Sequence, residues 1–286
     1  MSAFYSPLRY PGGKTKLADY VKAVLRANKL LDGTYAEPYA GGCSIALELV
    51  IQEFVQHIHI NDIDRSIWSF WHSVLNDTDA LCAMIQDTPV NLETWIKMRG
   101  IQANKHQEDS LDLGFSTFFL NRTNRSGIIS AGVIGGKNQN GNYKIDARYA
   151  KEELIRRVQL IANHRSRISL HQLDAKDFLK DIVAKLPEKT LVYLDPPYYV
   201  KGGDLYTHHY GHDDHKEIAA CVENIAQQWM VSYDDAPAIR DFYSKYTCLT
   251  YSLSYSAQKR YRGTEVLFLG PKLISPGLQG SMQEIA

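Results

Sequence analysis

A carboxylate followed by two prolines and an aromatic ring, Tyr193-Leu194-Asp195-Pro196-Pro197-Tyr198, stands at the end of a short apolar run. Proline has no N–H, so the backbone beside Asp195 offers acceptors and few donors. One carboxylate next to carbonyl acceptors suits an incoming amino group, and the Tyr198 ring suits stacking on a planar base. The bland alternative is an Asp-Pro-Pro turn that ends a strand. A second group is Ala36-Glu37-Pro38-Tyr39-Ala40-Gly41-Gly42-Cys43-Ser44. It reads as a strand end, a tight glycine turn and a helix start with Ser44 near the cap. Such a turn lets the backbone approach a ligand closely. Roughly 20 residues on, where a ribose-binding acid belongs, stands Ile60-Asn61-Asp62-Ile63-Asp64. A plain turn and, for Asp62, a helix cap are the alternatives. A third group, Tyr10-Pro11-Gly12-Gly13-Lys14-Thr15, carries the Gly-Lys-Thr of a phosphate loop. The position five before Gly13 is Leu8, and no apolar strand precedes it. A P-loop ATPase is therefore disfavoured.

These residues need elements to hold them. Apolar runs ending in turn residues recur at 34–39, 57–62, 168–173, 190–195, 229–233, 248–255 and 265–269. Helical patterns at 44–56, 175–186 and 215–228 lie between several of them. Strands alternating with helices predict a doubly wound α/β fold with a mostly parallel sheet, and the last two strands predict a hairpin edge. Residues 65–165 lack this alternation and read as mainly helical. Within them 126–143 is rich in glycine, and IGGKNQNGNYK has the turn chemistry of a β-hairpin. The middle is read as an insertion into the sheet domain, and the tail after Pro271 as a loose end.

The chain has 286 residues, 44% hydrophobic and 22% charged, which excludes disordered and fibrous classes. Its 32 basic and 32 acidic residues cancel, but unevenly. Residues 97–170 hold 13 Lys and Arg against 6 Asp and Glu, a surplus of seven balanced by the rest of the chain. That segment is the first candidate for a polyanion site. Cys43, Cys82, Cys221 and Cys248 form no CxxC pair, so neither zinc nor a disulfide framework is expected. The opening residues lack the apolar core of a signal peptide, and no run approaches the ~18 apolar residues of a spanning helix. A reduced cytoplasmic protein without a membrane is expected.

YPGGK at 10–14, EPYAGG at 37–42, NDID at 61–64 and DPPY at 195–198 resemble, in this order, the Dam-type N6-adenine DNA methyltransferases. The likeness extends to FFLNRTNRSG at 118–127, SYDD at 232–235 and KRYRGTEVLF at 259–268. It implies a site-specific enzyme that moves a methyl group from S-adenosylmethionine to N6 of a flipped-out adenine in double-stranded DNA. The implied fold is a seven-stranded Rossmann-like methyltransferase sheet over 1–66 and 166–286. A mainly helical target-recognition insert with a β-hairpin would occupy 67–165. The implied catalytic residues are Asp195, Pro196 and Tyr198: carboxylate and carbonyl hold the amino hydrogens, and the ring stacks on the base. The cofactor set is Tyr10, Gly12, Gly13, Lys14, Glu37, Ala40, Gly41, Gly42, Asp62, Ile63, Asp174 and Asp195. Lys14 is assigned to the methionine carboxylate, Asp62 to the ribose, Ile63 to the adenine ring and Asp174 to its amino group. A cap on the helix starting at Ala175 is the other reading of Asp174.

The DNA-binding set is Arg122, Asn124, Arg125, Ser126, Ile128, Lys137, Asn138, Asn140, Arg260 and Arg262. Pairing inside the insert is the alternative for Arg122. Thr-Asn-Arg-Ser at 123–126 departs from the aromatic-rich residues of GATC-reading Dam enzymes, which argues against GATC. No metal is implied, and the histidines at 206–215 are read as a loop and a helix start. The resemblance further implies a cytoplasmic monomer of bacterial or phage origin. A separate cognate restriction endonuclease, a phage setting and a solitary enzyme all stay open. N4-cytosine methylation and a catalytically silent DNA-binding module are the alternatives.

Overall fold

The computed structural model describes residues 5–9, 15–200, 210–255, 261–277 and 282–285. They fall into two compact units. One takes the described residues of Met1–Gly13 and Asp64–Ser166, the other those of Lys14–Ile63 and Arg167–Ala286.

The second unit is built on one mixed sheet. Its strands are β1 (Gly33–Glu37), β2 (Val55–Asn61), β3 (Ile168–His171), β4 (Thr190–Leu194), β5 (Gln228–Asp234), β6 (Thr247–Tyr255), β7 (Tyr261–Leu269) and β8 (Met282–Ile285). The spatial order is β3-β2-β1-β4-β5-β7-β6-β8. Strands β3, β2, β1, β4 and β5 run parallel to one another, while β7, β6 and β8 add antiparallel. Every residue of β4 is buried, as a central parallel strand covered on both faces requires. This is the expected doubly wound α/β fold, with β6 and β7 as the antiparallel hairpin. The expected seven strands are joined by an eighth, because residues 282–285 of the supposedly loose tail pair with β6.

The chain winds outward from β1 to β2 and β3, then returns to lay β4 and β5 on the other side of β1. The direction reverses between β1 and β4. Open α/β sheets bind ligands outside the carboxyl ends of the strands at such a reversal. Glu37 ends β1, and Asp195 follows β4.

The sheet unit carries α1 (Thr15–Ala27) and α2 (Ser44–Ile51), and the first unit is helical: α3 (Arg65–Asn76), α4 (Thr78–Asp87), α5 (Leu92–Ala103), α6 (Ser110–Thr123) and α7 (Lys151–Ala162). Asp64, Asn91 and Asp109 cap α3, α5 and α6 through side-chain acceptors. Helices α3 and α6 approach closely at Gly114, where an added Cβ would lie 2.6 Å from the Ser69 carbonyl oxygen. Phe70 and Phe118 stack beside this crossing, with centroids 5.9 Å apart.

Two expectations change here. The segment before residue 10 belongs with the helices rather than with the sheet. Asn121 explains it: its side-chain oxygen accepts from the Arg9 N–H at 2.7 Å, and its amide donates to the Arg9 and Gly127 carbonyls. Gly127, at φ 77°, lets the Arg9 backbone come within 2.4 Å of where a Cβ would stand. The β-hairpin is also absent from 134–143. An isolated bridge joins Asn124 and Val133, and the rest is turns. Gln139 organises them: its amide donates to the Ile134 and Gly136 carbonyls, and its side-chain oxygen takes the Ile145 N–H. Once a side chain satisfies the backbone in this way, no ladder is needed.

Candidate active site

At the end of β1, Glu37 points inward and is buried. It accepts from the Tyr35 hydroxyl at 2.8 Å and from the Ala46 N–H. Ala46 lies in the first turn of the helix Ser44–Ile51, whose N-cap Cys43 supplies no side-chain acceptor. Glu37 therefore does the work of the missing cap; Ser44, expected near the cap, is the first helical residue. Burial pushes the Glu37 carboxyl up to about 8, and the nearby Asp195 charge adds to the rise.

The turn after it is stretched by two left-handed residues, Gly41 at φ 45° and Cys43 at φ 54°. This aims the Gly41 N–H at Asp62 Oδ2, 2.9 Å away. Asp62 thus bonds to the glycine turn, and the cap of α3 is Asp64. Ile63 beside it is 42% exposed, an apolar side chain left open at a strand end.

Asn61, fully buried, ties three strand ends together. Its amide donates to the Pro38 and Leu173 carbonyls at 3.0 Å each, and its side-chain oxygen takes the Leu173 N–H at 2.9 Å. Asp174 follows and accepts from the Lys176 N–H, so the capping reading of this residue is realised.

At the end of β4, Ser232 on β5 donates to Asp195 Oδ1 at 2.7 Å. With that proton committed, the Tyr193 hydroxyl donates to Ser232 at 2.7 Å. Pro196 and Tyr198 are buried. The Tyr198 hydroxyl donates to Glu265 Oε1 at 2.6 Å. The N–H groups of Tyr199 and Val200 go to the two oxygens of Asp234 at 2.8 and 2.9 Å. Tyr199, Tyr210 and Tyr233 surround the buried His215, with centroids 5.2–5.4 Å from its ring. Burial pushes the His215 imidazole down.

Glu37, the glycine turn, Asp62, Asp174 and Asp195 thus all lie at the carboxyl ends of β1 to β4, around the reversal. The D12 class N6 adenine-specific DNA methyltransferase family matches residues 10–258. The chain belongs to this family. No curated protein matches it. Among solved structures it is similar to a putative RNA methyltransferase from Pyrococcus horikoshii, at 8% identity and a TM-score of 0.43, over 94% of this chain and 91% of that one. It is also similar to a putative class I S-adenosylmethionine-dependent methyltransferase from Listeria monocytogenes, at 10% identity and 0.41, over 94% and 62%.

The remaining site residues of this D12 methyltransferase divide by place. Tyr10, Gly12, Gly13, Lys14 and Arg260 lie outside the described residues, as does the side chain of Arg262. In the helical unit, Arg125, Lys137, Asn138 and Asn140 are exposed, while Ser126 and Ile128 are half-buried. Asn124 is interior. It accepts from Trp95 Nε1 at 2.7 Å and donates to the Ile128 and Ile129 carbonyls. Arg122 is turned inward onto the Arg148 and Pro7 carbonyls. Burial lowers its guanidinium to about 10, with Arg9, Arg157 and Arg148 adding to the shift. Sequence reading missed Asn61, Ser232, Asp234 and Glu265. The one signal for them was their place inside NDID, SYDD and RGTEVLF. Among the described residues no group of three or more His, Cys, Asp or Glu is arranged to hold a metal. No helix among them is long and apolar enough to cross a membrane.

Proposed function

We propose that the chain transfers a methyl group from S-adenosylmethionine to the N6 amino group of an adenine flipped out of double-stranded DNA. The observation that carries this reading is Asp195. Its carboxylate is oriented by Ser232 and followed by two residues without N–H groups, beside the sheet reversal. Such a site is rich in acceptors and poor in donors. It fits an exocyclic amine, whose two hydrogens would go to the Asp195 carboxylate and the Pro196 carbonyl.

The residues at the neighbouring strand ends fit the cofactor. Asp62 and Asp174 put acceptors just past the ends of β2 and β3, and the side chain of Ile63 after Asp62 is open, a set of groups suited to a cationic nucleoside. Asp62 would take the ribose hydroxyls, Asp174 the adenine amino group, and Ala40, Gly41 and Gly42 the methionine portion. When bound, S-adenosylmethionine supplies an electrophilic sulfonium methyl group.

The adenine amino nitrogen is a poor nucleophile, because its lone pair is delocalised into the ring. Acceptors on both hydrogens favour the positive charge that develops as it attacks. Holding the base in line supplies much of the remaining acceleration. The base is out of reach inside a duplex and must leave the stack, with Tyr198 as its platform. The helical unit, with Arg125 and Lys137 exposed, would meet the DNA and choose its sequence.

Long-read sequencing of DNA from a methylation-free host that expresses the chain tests this reading. N6-methyladenine within one short motif is expected, and an Asp195→Ala chain should leave none. Methylated cytosine, or unmodified DNA, would refute it.

A further inference from the structure

Pro196 and Pro197 remove two N–H groups from the segment after β4, and no strand or helix takes up residues 195–198. A stretch so short of donors has little of its own to fix a carboxylate and a carbonyl in space. The side chains that hold it come from one patch of the sheet. Ser232 and Asp234 stand two residues apart on β5 and share a face. Glu265 on β7 is the register partner of Asp234 on one side and of Tyr251 on the other. Ser232 grips the upstream end at Asp195. Asp234 grips the downstream end, taking the Tyr199 and Val200 N–H groups on separate oxygens. Between them, Glu265 takes the Tyr198 hydroxyl on Oε1 and the Tyr251 hydroxyl on Oε2, each at 2.6 Å.

We propose that Asp234 and Glu265 are positioning residues for methyl transfer. They form a two-carboxylate clamp that fixes residues 195–200, so that the Asp195 carboxylate, the Pro196 carbonyl and the Tyr198 ring meet one target base. The proposal rests on the reading of the chain as a DNA adenine methyltransferase. Glu265 is 1% exposed, and burying a carboxylate carries a desolvation cost that plain packing avoids. What an apolar residue lacks is direction. Short hydrogen bonds to a carboxylate fix both the distance and the angle of the tyrosine. Asp234 does the same for two consecutive N–H groups that no strand partner engages.

The test compares wild type with D234N, E265Q, Y198F and the Y198F/E265Q pair. It measures transfer of labelled methyl to duplex DNA, S-adenosylmethionine affinity by calorimetry, melting temperature, and emission of 2-aminopurine placed at the target adenine. Each amide puts a donor where a donor already stands. A fall in kcat of about ten-fold or more is expected for D234N and E265Q, with cofactor affinity held within about two-fold. Their 2-aminopurine complexes should emit more strongly than the wild-type complex, since the base loses a fixed stacking partner. The paired variant should fall no more than about two-fold below E265Q, because both changes break one link. If E265Q fails to fold, Y198F carries the test: it keeps the ring, loses only the hydroxyl, and should lose kcat at unchanged cofactor affinity. The clamp is overturned by variants with wild-type kcat, by losses that track cofactor affinity or melting temperature, or by multiplicative losses in the pair. A wild type that transfers no methyl to adenine overturns the functional reading itself, and the clamp with it. An active wild type with unaffected variants overturns the clamp alone.

Discussion

Asp195 is oriented by a relay, Tyr193 to Ser232 to Asp195, in which each hydroxyl has one proton to give and one acceptor to receive it. Ser232→Ala removes the hydroxyl donor to Asp195 Oδ1. A hydrogen bond to a charged group contributes about 1.5–3 kcal/mol, so kcat should fall ten-fold or more while DNA binding persists. Steady-state kinetics and gel shifts would show it, and an unchanged kcat would mean that Asp195 is held by other contacts. Glu37 gives a prediction of a different kind. Its carboxyl is pushed up to about 8 in the folded chain from an ordinary 4.5. Between those two values the folded state keeps a proton that the unfolded state has already lost. Stability must therefore fall as pH rises through that window, by at most about 1.4 kcal/mol per pH unit. Glu37→Gln carries the proton-like donor permanently and should flatten the melting profile from pH 5 to 8. Superimposable wild-type and variant profiles would count against a protonated Glu37. Asp195 and Asp62 were legible in the sequence because a carboxylate at a strand end is a chemical signal. Asn61, Ser232 and Asp234 were not: a small polar residue in an apolar run shows its purpose only when its partners, far away in sequence, are in place.

Among the elements, strands were easier to read than their ends. Each of the seven apolar runs became a strand, yet β3 stops at His171 instead of 173, because Asn61 rather than a neighbouring strand takes the Leu173 backbone. The helix expected over 175–186 is irregular: Ala175–Asp177 is α-helical, Phe178–Ile182 a π turn and Val183–Lys185 a 3-10 turn. Periodicity fixes the apolar face and is nearly blind to such local changes of pitch. The glycine-rich stretch misled for a related reason. Gly135, Gly136 and Gln139 do have positive φ, as a hairpin turn would ask, but Gln139 spends its side chain on the backbone that a second strand would have paired. Gly114 makes the opposite case, a glycine inside a helix that composition alone counts as a defect. It sits where α6 meets α3, and a methyl group there would strike the Ser69 carbonyl and the Ser73 hydroxyl at 2.6 and 2.5 Å. Gly114→Ala should raise helix propensity and still destabilise the helical unit by about 1–3 kcal/mol, the cost of overpacking. Urea denaturation would measure it; a stabilised variant would show that the two helices can separate without loss.

At the scale of the whole molecule, zero net charge conceals a division that bears on binding. The surplus of seven basic residues over 97–170 falls almost wholly in the helical unit. On the proposed function this unit supplies both the charge that holds DNA and the groups that read it. The structure sorts the candidates. Arg122 donates through Nε and Nη1 to the Arg148 and Pro7 carbonyls and Asn124 through its amide to the Ile128 and Ile129 carbonyls, whereas Arg125, Lys137, Asn138 and Asn140 are exposed. Arg125 lies beside Gly132, where an added Cβ would come 2.7 Å from its guanidinium. The planar fork of a guanidinium suits a bidentate contact to guanine in the major groove. The point charge of a lysine such as Lys137 suits phosphate. The two roles separate cleanly in one experiment, in which Arg125→Ala and Lys137→Ala are titrated against single-base variants of the recognised site at two salt concentrations. Arg125→Ala is expected to cost about 1–3 kcal/mol and to relax preference at one base pair. Lys137→Ala should weaken all sequences alike and reduce the slope of log affinity against log salt by about one. A uniform loss with Arg125→Ala would move the reading of sequence to the turns around Asn138 and Asn140, whose side chains are also exposed.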